Sequence, residues 1–300
     1  LYSGSGQAYI NRSATLKNPV VVTAAGTALV YDAGGQNLFV YRDRSEVFSL
    51  AMEDGFTLLS ADVNDSGWLT VVSHESGYKG IVTVYDNSFS PVIQISLSSR
   101  FIMDAAVSPD NKQVAILTIG LEDNAFDSRI DLYRLERNSQ ETAPDASCSV
   151  GNNAILDLRW NSSGIWALGE SGLSIVDSDG TLAGSYDYSG LYLKNFSLEG
   201  DGFAALLLGK YRAGTSAELI LVDHGGQEIA SLPVDEQVLS LSSAGRYTSL
   251  LTADRLDIYT SDLSPYSTLN GTQSAQKVLQ RSDGSVMLIG STTAHLYLPQ

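Results

Sequence analysis

Asp104 and Asp157 are the residues of this 300-residue sequence best placed to do chemistry. Each stands four positions ahead of a polar turn, Ser108-Pro109-Asp110-Asn111 in one case and Asn161-Ser162-Ser163-Gly164 in the other. The same count back from Asn64 lands on Ser60, and the equivalent positions in later copies fall at about Asn195 and Lys277. Polar residues recurring at one offset from a turn come together at one mouth of a central channel when the repeats stack. Carboxylates gathered there can hold a cation, bind a hydrogen-bonding ligand, or act as acid and base on a polysaccharide or peptide. They can equally serve only to bond backbone amides between neighbouring repeats.

Other catalytic arrangements are missing. His74, His224 and His295 lie in different repeats, without the close spacing that metal ligands share on one strand or helix. There is no Gly-x-Ser-x-Gly elbow and no glycine loop shaped to cradle phosphate. Cys148 is the single cysteine, which excludes an intrachain disulfide and a cysteine zinc site. Ser178-Asp179-Gly180-Thr181 approaches the Asp box of sialidases but lacks its spacing and tryptophan, and reads better as a hairpin turn. Trp68, Trp160 and Trp166 are too few for quinoprotein docking motifs and are expected to fill space between sheets. No cofactor and no resident metal are implied.

Recognition chemistry has clearer candidates. Three connections, residues 74–80, 120–128 and 209–217, are longer than their counterparts and carry Tyr78, Phe126 and Tyr211. Aromatic side chains on loops above a rigid scaffold are what binding surfaces use. The run Glu122-Asp123-Asn124-Ala125-Phe126-Asp127 adds acidic oxygens that suit either weak calcium binding or plain surface decoration.

The elements that must position these groups follow from a repeat. Asn37-Leu38-Phe39-Val40-Tyr41 returns as Ile81-Val82-Thr83-Val84-Tyr85 and Arg129-Ile130-Asp131-Leu132-Tyr133, then with last residues at Val176, Val222, Tyr259 and Tyr297. The intervals run from 37 to 48 residues. Strand-type alternation at that period marks a β-propeller with one four-stranded blade per repeat. The fold class is therefore all-β, a seven-bladed propeller of antiparallel sheets forming one domain over residues 1–300. The seventh copy stops after its third strand, so residues 7–16 are expected to supply the fourth and close the array. Leu1-Tyr2-Ser3-Gly4 resembles the tail of a further anchor strand, which leaves eight blades as the alternative.

Composition narrows the partners. The net charge of −16 and the lack of any basic run exclude the lysine and arginine arrays that nucleic acid requires. The same sign disfavours docking on an anionic membrane surface. No apolar run is long enough to span a bilayer. The first residue is Leu rather than Met, which is expected if a signal or anchor segment precedes it.

The segments Asn18-Pro19-Val20, Ala28-Leu29-Val30-Tyr31-Asp32-Ala33-Gly34-Gly35 and Asp104-Ala105-Ala106-Val107-Ser108-Pro109-Asp110, with Asp157 and residues 172–180, carry a resemblance. The chain resembles an uncharacterised family of WD-repeat-like and YVTN-like propeller proteins from Gram-positive anaerobes, over most of its length. That resemblance implies an N-terminal transmembrane helix ahead of the propeller and a location outside the cytoplasm. It supplies no functional residues. The expectation is a non-catalytic propeller that binds a protein or cell-envelope ligand through its loop-bearing face. The alternative is a hydrolase or lyase using carboxylates at the channel.

Overall fold

A computed structural model describes residues 7–137, 143–272 and 274–299. The first sheet contains β1 (Pro19–Ala24), β2 (Thr27–Asp32), β3 (Asn37–Arg42) and β4 (Ser45–Ala51). The second contains β5 (Thr57–Val63), β6 (Leu69–His74), β7 (Gly80–Tyr85) and β8 (Pro91–Leu97). The third contains β9 (Phe101–Val107), β10 (Gln113–Glu122), β11 (Ala125–Arg134) and β12 (Ala146–Ser149). The fourth contains β13 (Ile155–Asn161), β14 (Gly164–Gly169), β15 (Gly172–Val176) and β16 (Leu182–Asp187). The fifth contains β17 (Tyr192–Ser197), β18 (Phe203–Gly209), β19 (Ala217–Asp223) and β20 (Glu228–Val234). The sixth contains β21 (Ser240–Ala244), β22 (Tyr247–Leu251), β23 (Arg255–Thr260) and β24 (Pro265–Asn270). The last contains β25 (Lys277–Gln280), β26 (Val286–Ile289) and β27 (Ala294–Tyr297).

Every sheet keeps its strands in chain order, and the seven sheets give the seven-bladed β-propeller class that the repeat predicts. No helix occurs among the described residues, so none is long and apolar enough to cross a membrane. The anchor pattern forms the third strand of each sheet, and the apolar second strands are the most buried, as in the fully buried β18. Residues 7–16 contain one bridge position, Ala8, and no continuous strand, and the last sheet has three strands among the described residues, so the continuous fourth strand expected of this segment is not formed. Charge explains where this segment goes. The Arg12 guanidinium lies 4.4 Å over the Phe39 ring and pairs with Glu46, while Arg44 sits 4.5 Å over Tyr9. These contacts fasten it to the first sheet. The Leu1-Tyr2-Ser3-Gly4 reading lies outside the described residues, as do residues 138–142 of the excursion between β11 and β12.

Contacts divide the chain into two compact units, residues 1–165 with 176–181, and residues 166–175 with 182–300. In the first unit, Leu29, Leu38 and Val40 pack against Leu58, Ala61 and Val71, and Val72, Val82 and Val84 against Ile102, Ala105 and Ile116. In the second, Trp166 and Leu168 meet Ala204 and Leu206, and Tyr247 and Leu251 meet Val278 and Val286. Sheets therefore pack face to face on apolar side chains, with Trp166 fully buried and Trp68 half-buried in such layers. Polar staples cross between them: Thr70 Oγ1 donates to Ala105 O at 2.7 Å, and the Ser243 amide donates to Ser197 Oγ at 2.9 Å.

Candidate functional site

The first strand of several sheets carries the same irregularity. In β5 the pairing with β6 slips between Leu58 and Ser60, leaving Leu59 without a ladder partner. In β9 it slips so as to skip Met103, and in β17 so as to skip Lys194. Each slip is a β-bulge, which bends the strand and re-aims the next side chain. That next residue is Ser60, Asp104 or Asn195. The cause is legible in the apolar steps: Leu58 to Ala61 and Ile102 to Ala105 are three residues, followed by a step of two to Val63 and Val107. A strict period of two would turn one of each pair out of the core.

Asp104 and Asn195 at their bulges, and Asp157 at the matching offset in β13, share a local bond. Asp104 Oδ1 accepts from the Ala105 amide at 2.9 Å, Asp157 Oδ1 from the Leu158 amide at 3.0 Å, and Asn195 Oδ1 from the Phe196 amide at 2.9 Å. Ser60 Oγ, in the neighbouring sheet, donates to Asp104 Oδ1 at 2.5 Å. Lys277 behaves differently. It opens β25, which pairs with β26 without a slip, and its side chain is exposed.

In the first unit these positions border a cavity of about 400 Å³. Its polar wall consists of Tyr31, Ser60, Asp62, Asp104, Asp157 and Arg159, and its apolar wall includes Val21, Met103 and Leu156. Arg159 Nη1 pairs with Asp62 Oδ1 at 3.1 Å. Asp104 is half-buried, with its carboxylate deep among the strands and part of the residue facing the void. Burial pushes its pKa up to about 6, against the hydrogen bonds from Ser60 and Ala105, with the Asp157 charge raising it further and Arg159 opposing. Burial also raises the Tyr31 hydroxyl, as does the Asp104 charge, while a hydrogen bond from the Ala61 amide opposes both.

The three aromatic connections have distinct structures. Tyr78 lies exposed on a turn between β6 and β7. Residues 120–128, expected as a loop, are instead the end of a β-hairpin whose two strands are ten residues each. Asp123 and Asn124 make the two-residue turn with φ of 49° and 69°, a backbone these residue types tolerate and which matches strand twist. The register sets Leu121 opposite Phe126 and Ile119 opposite Phe101. One face of the hairpin end thus presents Phe101, Leu121 and Phe126, which are 51%, 65% and 66% exposed. Lys79 Nζ reaches over the Phe101 ring at 4.9 Å.

The opposite face is held by charge. Asp127 receives Arg100 at 3.1 Å and Arg129 at 2.5 Å, and Arg129 also pairs with Glu122. Arg100 Nε donates to Thr118 Oγ1 at 2.9 Å. Two acidic groups weighed for calcium are therefore paired with arginine, and no group of three or more His, Cys, Asp or Glu able to hold a metal occurs among the described residues. In the second unit, Tyr211 is exposed on the connection between β18 and β19, and Lys194 Nζ pins that connection through Gly214 O at 2.5 Å.

Comparison with known proteins follows from this geometry. Residues 1–293 match the model of a family described as "Family of unknown function (DUF5711)". No curated protein matches the chain. Among solved structures, the C-terminal WD40 domain of Sif2 is similar with a TM-score of 0.52 at 11% identity, covering 95% of this chain and 97% of that one. The Pan2 WD40 domain from Neurospora crassa is similar with a TM-score of 0.56 at 12% identity, covering 93% and 87%. At such identities the likeness carries the propeller fold and nothing about ligands.

Proposed function

The chain belongs to the DUF5711 family, whose function is unknown, and from that premise we propose that it is a non-catalytic binding propeller that recognises a protein partner at the cell envelope, outside the cytoplasm. The observation that carries this reading is the amphipathic hairpin of the third sheet. Its Arg100–Asp127–Arg129–Glu122 face is saturated by ion pairs, whereas Phe101, Leu121 and Phe126 stay in water on the other face. Exposed apolar side chains on a rigid, well-paired element lose little entropy on binding and suit the buried centre of an interface. Tyr78 and Tyr211 add exposed aromatic surface at the same topological position of their own sheets. The resemblance to propellers that follow a transmembrane helix supports a location facing outward.

The test is capture of cross-linked partners from an envelope fraction by the wild-type chain and by the triple variant Phe101→Ser, Leu121→Ser, Phe126→Ser. Partner recovery should disappear with the triple variant while the fold persists. Equal recovery by both would sink the reading.

The rival reading is a hydrolase or lyase with Asp104 and Asp157 as acid and base. The carboxyl of Asp104, pushed up to about 6 beside a cavity, favours it. Against it stands Asn195, which makes the same next-residue bond with a group that cannot titrate, so that bond belongs to the bulge rather than to proton transfer. Release of reducing sugar or peptide from envelope polymers by the wild type, lost in Asp104→Asn, would establish the enzyme.

A further inference from the structure

The seams between neighbouring sheets are not all closed in the same way. Asn64, on the turn after β5, reaches the third sheet, where its Nδ2 donates to Ser108 O at 3.1 Å and to Asn111 Oδ1 at 2.7 Å. At the next seam the same position is Ser108, whose shorter side chain turns back on its own sheet. Its Oγ donates to Asp110 Oδ1 at 2.7 Å and accepts from the Lys112 and Gln113 amides, both at 3.0 Å. That seam holds a groove of about 310 Å³, at the lower end of the range of small-molecule sites. All of its lining residues lie in the first unit.

Trp160 forms one wall. It stands one residue ahead of its turn, the offset held in the two preceding sheets by Val63 and Val107, which are 4% and 2% exposed. An indole exceeds what a valine slot takes in. Trp160 stays half-buried, and it borders the groove together with Gln113, Ser162, Ser178, Asp110 and Asp177. Among the described residues, the Trp160 N–H, the Gln113 carboxamide, the Ser162 and Ser178 hydroxyls and the Asp177 carboxylate make no side-chain hydrogen bond or ion pair. Asp110 is engaged locally, by Ser108, the Lys112 amide and the Lys112 ammonium at 3.6 Å. No lysine or arginine lines the groove.

An aromatic wall ringed by groups that donate and accept suits a ligand with a hydrocarbon face and a rim of hydroxyls. We propose that this groove binds a neutral pyranose sugar. The C–H face of the ring lies on Trp160, and its hydroxyls bond Gln113, Asp177 and the two serines. Asp177 accepts from neighbouring hydroxyls through both oxygens, while the carboxamide and serine hydroxyls each donate and accept. Two carboxylates and no cation discriminate against acidic sugars. The groove is separate from the hairpin, so it stands or falls independently of the partner-binding reading.

The experiment is nitrogen-15 NMR of the folded chain, titrated with the methyl glycosides of glucose, galactose, mannose and N-acetylglucosamine. Methyl glucuronide serves as the acidic counterpart of the first. Three tryptophans give three indole N–H signals, and Trp160→Phe assigns one by its disappearance. Through-bond assignment on the wild type identifies it if that variant does not fold. The Trp160 signal should move saturably with at least one neutral glycoside, while those of Trp68 and Trp166 stay in place, and methyl glucuronide should leave all three unmoved. Gln113→Ala should weaken the interaction about fivefold, as expected for one neutral hydrogen bond, and Asp177→Ala about tenfold or more, as expected for bonds to a charged group. The hairpin triple variant should bind as wild type does. No saturable shift with any of the neutral glycosides, a shift confined to Trp68 or Trp166, an equal response to methyl glucuronide, or unchanged affinity in both Gln113→Ala and Asp177→Ala would overturn the proposal.

Discussion

Ser60 Oγ donates to Asp104 Oδ1 at 2.5 Å, and the two residues occupy the same bulge position in adjacent sheets. This bond crosses between blades and holds a carboxylate that burial would otherwise neutralise more fully. Ser60→Ala removes an interaction that favours the charged form, so the Asp104 pKa should rise above about 6. Carbon-13 carboxyl titration followed by NMR would report it, and an unchanged midpoint would contradict the assignment.

Asp104 also predicts a stability profile. Its folded pKa of about 6 lies above the ordinary value of 3.8, so the native state binds this proton more tightly than the unfolded chain. The associated stabilisation is full below 3.8 and is lost as pH rises through about 6. Wild type should therefore gain stability on going from pH 7 to pH 4.5. Asp104→Asn should reduce that gain, and at pH 7 it should stabilise the chain by about 2 kcal/mol, since an amide serves the same bulge bond at Asn195. Denaturant melts at the two pH values check both signs.

Removing Asp127 should be costly. Its carboxylate is nearly buried and receives Arg100, Arg129 and Ser149 Oγ, the last at 2.6 Å. Asp127→Ala leaves two guanidinium groups without their shared partner, and a loss of about 3 kcal/mol is expected. Amide exchange should quicken first at the hairpin end, residues 119–128. Loss of stability with unchanged exchange there would argue against the network as its fastening.

Leu121→Ser and Phe126→Ser should behave in the opposite way. Both side chains are mostly in water, so stability should change by less than about 0.5 kcal/mol while partner capture is lost. A large stability loss would mean that these residues pack in solution rather than wait for a partner.

In the second unit, a methyl at Gly184 would lie 2.3 Å from the Gly225 backbone carbon, so β16 and the turn after β19 meet without side chains between them. Gly184→Ala should cost about 1–3 kcal/mol through forced separation of that contact. Thermal unfolding would measure it, and a neutral result would show that the turn yields.

Much of this fold was legible because alternation survives in the anchor and second strands. The repeat copies Ile81–Tyr85 and Arg129–Tyr133 lie within β7 and β11. The hairpin at 120–128 was misread because Glu122-Asp123-Asn124 looks like polar loop, although Asp123-Asn124 flanked by Leu121 and Phe126 is a two-residue hairpin signal. Counting back from the turns found Ser60, Asp104, Asp157 and Asn195, yet it missed Asp62 and Arg159, each two residues beyond a found position and on the same side of its strand. Counting also placed Lys277 with the others, whereas β25 runs without a slip. Tyr31 was not found because it comes from a second strand, and only packing brings it to the cavity.

The bulge has a consequence for how such a chain can change over time. Serine, aspartate and asparagine all occupy it at Ser60, Asp104 and Asn195 with the surrounding ladder intact, so the backbone tolerates hydroxyl, acid and amide alike. Chemical identity at that location changes stability without changing the strand pairing. Single substitutions there can retune what the scaffold attracts, and a designer could write a new preference into one blade without rebuilding any other.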